Sequence, residues 1–355
     1  MNDASLSTHV LPGGFNEWFR QRGWQPRPHQ VRLAEVAARG GDALLIAPTG
    51  GGKTLAGFLP SLVDLADNPR PGLHTLYVSP LKALTYDIAQ NLDAPVREMD
   101  LPITLETRTG DTPQSKRQRQ KRTPPNILLT TPEQLALLLA AREAKQMFRD
   151  LGAVIIDELH AFADTRRGDL LALDLARLGA IAPGHRRVGL SATVAEPERL
   201  ARFVGLAHGP ATIVRGPPGP RPAVTILRAA GRIPWSGHTA MHVIPEIYQA
   251  IRDHRTVLVF VNTRSQAERV FQELWRANED GLAIALHHGS LDVERRRKVE
   301  TAMARGTLRA VVCTSTLDLG IDWRDLDLAV ASAAPECADR PPATLARTHA
   351  CLVVP

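Results

Sequence analysis

Residues 47–54 read Ala47-Pro48-Thr49-Gly50-Gly51-Gly52-Lys53-Thr54. An apolar run, Ala43–Ala47, leads into them, and a helical pattern from 53 to 66 follows. Strand, glycine-rich turn, Lys-Thr and helix make the context of a phosphate-binding loop. Glycines let the backbone turn successive N–H groups toward one point. The helix N-terminus beyond adds donors and a favourable dipole. In such a loop Thr49, Gly50, Gly51 and Gly52 form the cradle, Lys53 reaches the outer phosphates of a nucleoside triphosphate, and Thr54 holds Mg2+ through its hydroxyl. A dinucleotide-binding turn is disfavoured, because the loop runs into Lys-Thr and not into GxGxxG.

A hundred residues on, Val154-Ile155-Ile156-Asp157-Glu158-Leu159-His160 delivers two carboxylates from an apolar strand. They fall at its carboxyl end, where the ligands of open α/β sheets bind. Asp157 suits the Mg2+ site, and Glu158 suits the polarising of an attacking water. His160 either links this pair to Ser191-Ala192-Thr193 by hydrogen bonds or packs locally.

Around these landmarks the chain alternates short apolar runs with helical patterns. In the first half the strand runs are 43–47, 75–79, 103–107, 127–130, 153–156 and 187–190, with helices near 53–66, 81–93, 132–141, 168–178 and 196–204. In the second half they are 224–227, 256–261, 282–286, 309–314 and 328–331, with helices near 239–252, 264–277 and 292–304. Nearly continuous apolar strands call for a parallel sheet covered on both faces. The fold class is α/β, with two such sheets in tandem. Between them, residues 209–222 hold Gly209, Gly216 and Gly219 with Pro210, Pro217, Pro218, Pro220 and Pro222. That composition excludes a helix and a central strand, so 209–222 reads as a linker between domains at 1–208 and 223–355.

The bulk composition agrees with this reading without demanding it. A chain of 355 residues suits two domains, and a 44% apolar content allows a core for each. The formal net charge of +6 permits a polyanionic partner. Cys313, Cys337 and Cys351 have neither metal-ligand nor disulfide spacing, which suits a reducing compartment. No secretory leader or bilayer-spanning run is present in the sequence, so a cytoplasmic location with no membrane contact is expected.

Taken together, these segments resemble the superfamily 2 DExH-box helicases, and within them the Lhr-like group in its ligase-associated branch. The resemblance is carried by FNEWFRQRGWQPRPHQ, IAPTGGGKTLAGFLP, LYVSPLKAL, TRTGDT, LLTTPEQL, DELHAF and VGLSATV in the first half. In the second half it is carried by IPWSGHTAMHVIPEIY, VLVFVNTR, HHGSL and TSTLDLGIDW. It implies two RecA-like domains and an ATP- and Mg2+-dependent motor on single-stranded or partly duplex DNA, with a DNA ligase and a nuclease as partners in repair. It assigns Gln30, supported by Arg27, to adenine, and Gly320 and Asp322 to the nucleotide near its ribose. It assigns nucleic-acid contacts to Ser79, Pro80 and Lys82, to Thr109 and Gly110, to Thr131 and Pro132, and to Asn262, Thr263, Arg264, His288, Gly289 and Thr314. Several of these hydroxyls fit ordinary helix caps equally well. Arg167 either supports the same surface or is a plain surface cation. The basic run Lys116–Arg122 is either a phosphate contact or a solvated helix face.

One expected motif is missing. After Asp322 the resemblance implies a strand and then a helix with a QRxGRxxR-like motif, whose arginines reach the γ-phosphate. The chain reads LAVASAAPECADRPPATLARTHACLVVP instead, and Pro341-Pro342 falls where that helix would form. The second domain therefore reads as altered or truncated after about residue 330, with CLVVP as the family's last core strand. The resemblance also implies a winged-helix domain and further C-terminal domains after residue 355. Two alternatives to the DNA motor stay open: an impaired module that binds ATP and DNA, and an RNA helicase.

Overall fold

Among the described residues each strand is a run of four to six residues, most of the runs are apolar for most of their length, and every ladder is parallel. A computed structural model describes residues 11–48, 50–163, 165–192, 194, 196–205, 209–218, 223–227, 241–314, 326–332 and 350–354. The chain divides into two units, Met1–Pro218 and Gly219–Pro355.

In the first unit the strands are β1 (Ala43–Ile46), β2 (Thr75–Val78), β3 (Leu105–Arg108), β4 (Ile127–Thr130), β5 (Ala153–Ile156), β6 (Arg186–Ser191) and β7 (Thr212–Arg215). Their order is β3-β4-β2-β5-β6-β1-β7. The helices are α1 (Gly13–Gln21), α2 (Pro28–Ala38), α3 (Lys53–Asp67), α4 (Lys82–Glu98), α5 (Gln114–Arg122), α6 (Pro132–Leu139), α7 (Ala144–Phe148), α8 (Arg166–Ile181) and α9 (Pro197–Val204). Alternate side chains of a strand point to opposite faces. Accordingly Ala43, Leu45, Tyr77, Ile127, Leu129 and Ile155 pack with α1–α4, while Leu44, Ile46, Leu76, Leu128, Val154 and Ile156 pack with α6–α9. Both faces are buried, which is why the strands lack polar alternation.

The second unit holds β8 (Ala223–Ile226), β9 (Val257–Phe260), β10 (Ile284–His287), β11 (Ala310–Cys313), β12 (Leu328–Ser332) and β13 (Ala350–Val354), in the order β10-β11-β9-β12-β13-β8. Its helices are α10 (Ile244–Asp253), α11 (Arg264–Ala277) and α12 (Val293–Ala304). Val257, Val259, Ala310 and Val312 pack on one face with Ile247, Ile251, Val270 and Leu274. Leu258, Phe260, Val311 and Cys313 pack on the other with Met303.

Three expectations need correction. Thr212–Arg215, inside the stretch read as a linker, is the strand β7, paired along β1 at the sheet edge. A Pro-rich neighbourhood bars a central strand but tolerates an edge one. The strands expected at 103–107 and 282–286 lie at 105–108 and 284–287, since register with their neighbours sets the ends. Helices α1, α2 and α7 were not among those expected, and the basic run Lys116–Arg122 lies in the helix α5, as one of its two readings had it. Helix α2 starts on Pro28, which sits at the first helical turn, where it costs no hydrogen bond.

Candidate functional site

The loop between β1 and α3 is shaped by its glycines and held from behind. Gly50 and Gly52 take φ of 74° and 75°, a region that favours glycine. A Cβ on Gly51 would stand 2.6 Å from the Pro48 carbonyl oxygen. The start of α2 then holds three successive loop carbonyls. Arg27 Nη1 donates to Gly50 O at 3.1 Å, His29 Nε2 lies 2.8 Å from Gly51 O, and Gln30 Nε2 donates to Gly52 O at 3.4 Å. The Gln30 Oε1 accepts from Arg27 N at 2.8 Å, so its amide both caps α2 and braces the loop. His29 is buried, and burial lowers its pKa, so a neutral ring serves as donor to Gly51. Lys53 is buried at the first position of α3, with Nζ 3.0 Å from Ala47 O.

Two strands away β5 ends in Asp157 and Glu158, both buried. Asp157 Oδ1 accepts the Glu158 N–H at 2.8 Å, and its Oδ2 accepts the hydroxyl of Tyr77 from β2. Burial pushes the Asp157 carboxyl up to about 6 and the Glu158 charge adds to this, while Tyr77 and Lys53 oppose it. Glu158 has φ 45° and ψ 46°, a left-handed conformation in a non-glycine residue. Strain of this kind collects at functional sites. His160 Nδ1 lies 3.2 Å from Ser191 Oγ and 3.4 Å from Glu158 Oε2. Ser191 in turn ends β6 beside β1, and its carbonyl accepts from Ala47 N at 3.2 Å. The structure thus brings Lys53, Asp157, Glu158, His160 and Ser191 to one edge of the sheet. Ala192 follows directly. Thr49 and Thr193 lie outside the described residues, as do Gly320 and Asp322.

The candidate nucleic-acid segments line up by register. Val78 pairs with Thr130, and Thr130 with Arg108, so Ser79, Thr131 and Thr109 follow three adjacent strands at the same level. All three side chains are buried. Ser79 Oγ and Thr109 Oγ1 are engaged by the backbone N–H groups of Leu81 and Asp111, at 3.4 and 3.3 Å. What these segments present outward is helix N-termini, at Lys82 for α4 and at Pro132 for α6, together with exposed cations. Lys82 Nζ stands 3.0 and 3.2 Å from the two Asp111 oxygens beside Gly110. Arg167 Nε donates to Glu133, next to Pro132, at 2.6 Å.

The second unit repeats this arrangement. Phe260, Cys313 and His287 share one level, so Asn262, Thr314 and His288 follow adjacent strand ends. Thr263 caps α11 by accepting from Gln266 N at 3.2 Å, while Asn262 and Arg264 are exposed. His288 is buried, with Nδ1 accepting from Ser290 N at 3.3 Å beside Gly289.

The basic run in α5 is mostly satisfied internally. Arg117 donates to the Thr109 and Gly110 carbonyls, Lys116 and Arg119 pair with Glu106, and Lys121 pairs with Glu143. Sequence reasoning named Arg117 only as part of the basic run Lys116–Arg122, and it missed His29 and Tyr77. The legible signal for Tyr77 was a phenol in a strand whose residues are all buried, since such a hydroxyl must find a partner.

Residues 27–200 match the DEAD/DEAH box helicase family, and residues 239–347 match the helicase conserved C-terminal domain. The chain belongs to the DEAD/DEAH-box helicases. Within that family it is 35% identical to the ATP-dependent helicase Lhr-Core protein 2 of Thermococcus barophilus, over 93% of this chain and 41% of that protein. It is 35% identical to the Lhr helicase/uracil glycosylase of Escherichia coli, over 94% of this chain and 26% of that protein. Among solved structures, the Mycobacterium smegmatis helicase Lhr bound to ssDNA and AMP-PNP superposes with a TM-score of 0.81 at 35% identity. The match covers 98% of this chain and 48% of that one. The chain therefore spans less than half the length of these helicases. Both units carry the RecA-like helicase fold. Among the described residues no helix is long and apolar enough to cross a membrane.

Proposed function

We propose that this chain is the ATP-driven motor core of an Lhr-type helicase, moving along single-stranded or partly duplex DNA. The observation that supports it is the shared sheet edge. Lys53, Asp157 and Glu158 stand at the same strand ends as the segments after β2, β3 and β4. A nucleotide event at one set is therefore one strand away from the other.

In this reading the loop N–H groups of 49–52 and the Lys53 ammonium hold the β- and γ-phosphates. Gln30 and Arg27 meet the adenine, and Gly320 and Asp322 meet the ribose side. The residues present fit Mg2+: Thr54 offers a hydroxyl in the first turn of α3, and Asp157 offers a buried carboxylate close enough to Lys53 to feel its charge. When bound there, Mg2+ would neutralise phosphate charge as the γ-phosphoryl group departs. Glu158 orients and polarises the attacking water. His160, Ser191, Ala192 and Thr193 pass the state of Glu158 to the neighbouring strands. Backbone-type contacts come from Ser79, Pro80, Lys82, Thr109, Gly110, Thr131, Pro132 and Arg167, and from Asn262, Thr263, Arg264, His288, Gly289 and Thr314. Such contacts do not read bases, so sequence preference is weak. A cytoplasmic role in DNA repair beside a DNA ligase and a nuclease belongs to the same reading.

The test is steady-state ATP hydrolysis by the 355-residue chain, with and without single-stranded DNA, beside Lys53→Ala. We expect DNA-stimulated turnover that falls by about a hundredfold or more in the variant. A second reading, an impaired module that binds ATP and DNA, is favoured by one observation. Pro341-Pro342 interrupts the place where the arginine-bearing helix of the family would form. ATP binding without turnover would select it. Competition by strands bearing 2′-OH groups separates a DNA motor from an RNA motor.

A further inference from the structure

Tyr77 sits in the interior strand β2, between β4 and β5, and is fully buried. Its ring is stacked on Phe58 of α3, with centroids 5.3 Å apart and planes at 26°. For packing alone a phenylalanine would serve, since the buried cluster it belongs to on that face is otherwise made of aliphatic side chains, Phe and Trp. The hydroxyl has a specific use. Tyr77 pairs with Ile155, and Asp157 lies two residues beyond Ile155 on the same face of the sheet. A long aromatic side chain reaches such a diagonal neighbour. The Tyr77 O–H accordingly donates to Asp157 Oδ2, while the Glu158 N–H donates to Oδ1 at 2.8 Å. With one donor on each oxygen, the carboxylate plane is fixed. Each oxygen keeps further lone-pair capacity for another partner.

We infer that Tyr77 is a positioning residue that fixes the Asp157 carboxylate for the divalent cation of a bound nucleotide. The inference rests on the motor reading above. It also joins three elements on one phenol. Through Phe58 the ring is seated on the helix that begins at Lys53, and Ser79 lies two residues beyond Tyr77, just past the end of β2. Residues that orient a metal-binding side chain commonly change metal affinity by about ten- to a hundredfold when removed.

Tyr77→Phe keeps the ring and deletes only the hydroxyl. The measurement is binding of a fluorescent ATP analogue to the full chain, first in EDTA and then across a Mg2+ titration. Mn2+ bound in the presence of ATP is followed by electron paramagnetic resonance as a direct metal readout. We expect unchanged affinity in EDTA and an unchanged melting temperature. The Mg2+ and Mn2+ concentrations for half-saturation rise about tenfold. Equal metal midpoints in the two proteins would overturn the inference. So would loss of EDTA-state binding in the variant, because the hydroxyl would then serve the fold and not the metal. Wild-type binding that ignores Mg2+ altogether would instead remove the motor reading.

Discussion

At the scale of single residues, the phosphate loop is held from behind through its carbonyl groups. Arg27, His29 and Gln30 engage the carbonyls of Gly50, Gly51 and Gly52 in turn. A peptide unit whose carbonyl is tied on one side presents its N–H on the other, so the contacts at Gly51 and Gly52 pre-set the N–H groups of Gly52 and Lys53, while the Gly51 N–H donates within the loop to the Pro48 carbonyl at 3.0 Å. This gives Gln30 and Arg27 a structural task in addition to the adenine contact proposed for them. Gly51 is the tightest point, since an added Cβ would press on the Pro48 carbonyl at 2.6 Å. Gly51→Ala is expected to lower nucleotide affinity by about tenfold in equilibrium titration, through strain in the loop. An unchanged affinity would show that the loop yields without cost.

Helix α8 carries a different kind of tension. Its Asp174 is buried, both carboxylate oxygens lack a hydrogen-bond partner, and Arg177 Nη1 approaches only to 3.9 Å. Burial pushes its carboxyl up to about 6, against the pull of Arg177. A carboxyl raised by folding stabilises the fold fully below its unfolded value of 3.8, and that contribution is lost as pH rises through about 6. Asp174→Asn is therefore expected to raise the melting temperature at pH 7.5 by about 2–4 °C and to change it little at pH 4. Equal melting curves at the two pH values would refute this. Helix α5, by contrast, has little tension to release. Arg117 braces Thr109 and Gly110, and Glu106 and Glu143 take most of the other cations, so the basic run is largely spoken for within the fold.

For the whole molecule, a formal charge of +6 is too small to dominate binding by itself, so the placed cations decide the salt response. Lys82 opens α4 after β2 and Arg167 lies in the first turn of α8, each paired with a carboxylate on the surface. Surface pairs of this kind contribute about 0–1 kcal/mol, so a phosphate can displace Asp111 from Lys82 at small cost. Binding to single-stranded DNA should weaken with salt on a log–log line, and Lys82→Ala should reduce that slope by about 0.7. A slope unaffected by the substitution would remove Lys82 from the contact set.

The sequence by itself determined the α/β class, the tandem arrangement and the nucleotide loop, because each rests on local pattern. Continuous apolar strands demand two covered faces, and a Gly-rich turn before Lys-Thr allows few other uses. The carboxylate pair at 157–158 was legible for the same reason. The tertiary structure alone decided which distant groups meet. Sheet order placed β2 beside β5, so a tyrosine 80 residues from Asp157 became its hydrogen-bond donor. Pairing along β1 turned Thr212–Arg215 from apparent linker into an edge strand. The packing of α2 against the loop gave His29 its role, and the αL backbone at Glu158 left no trace in the residue types. Each depends on partners far apart in the chain, and local periodicity carries no information about which strands become neighbours.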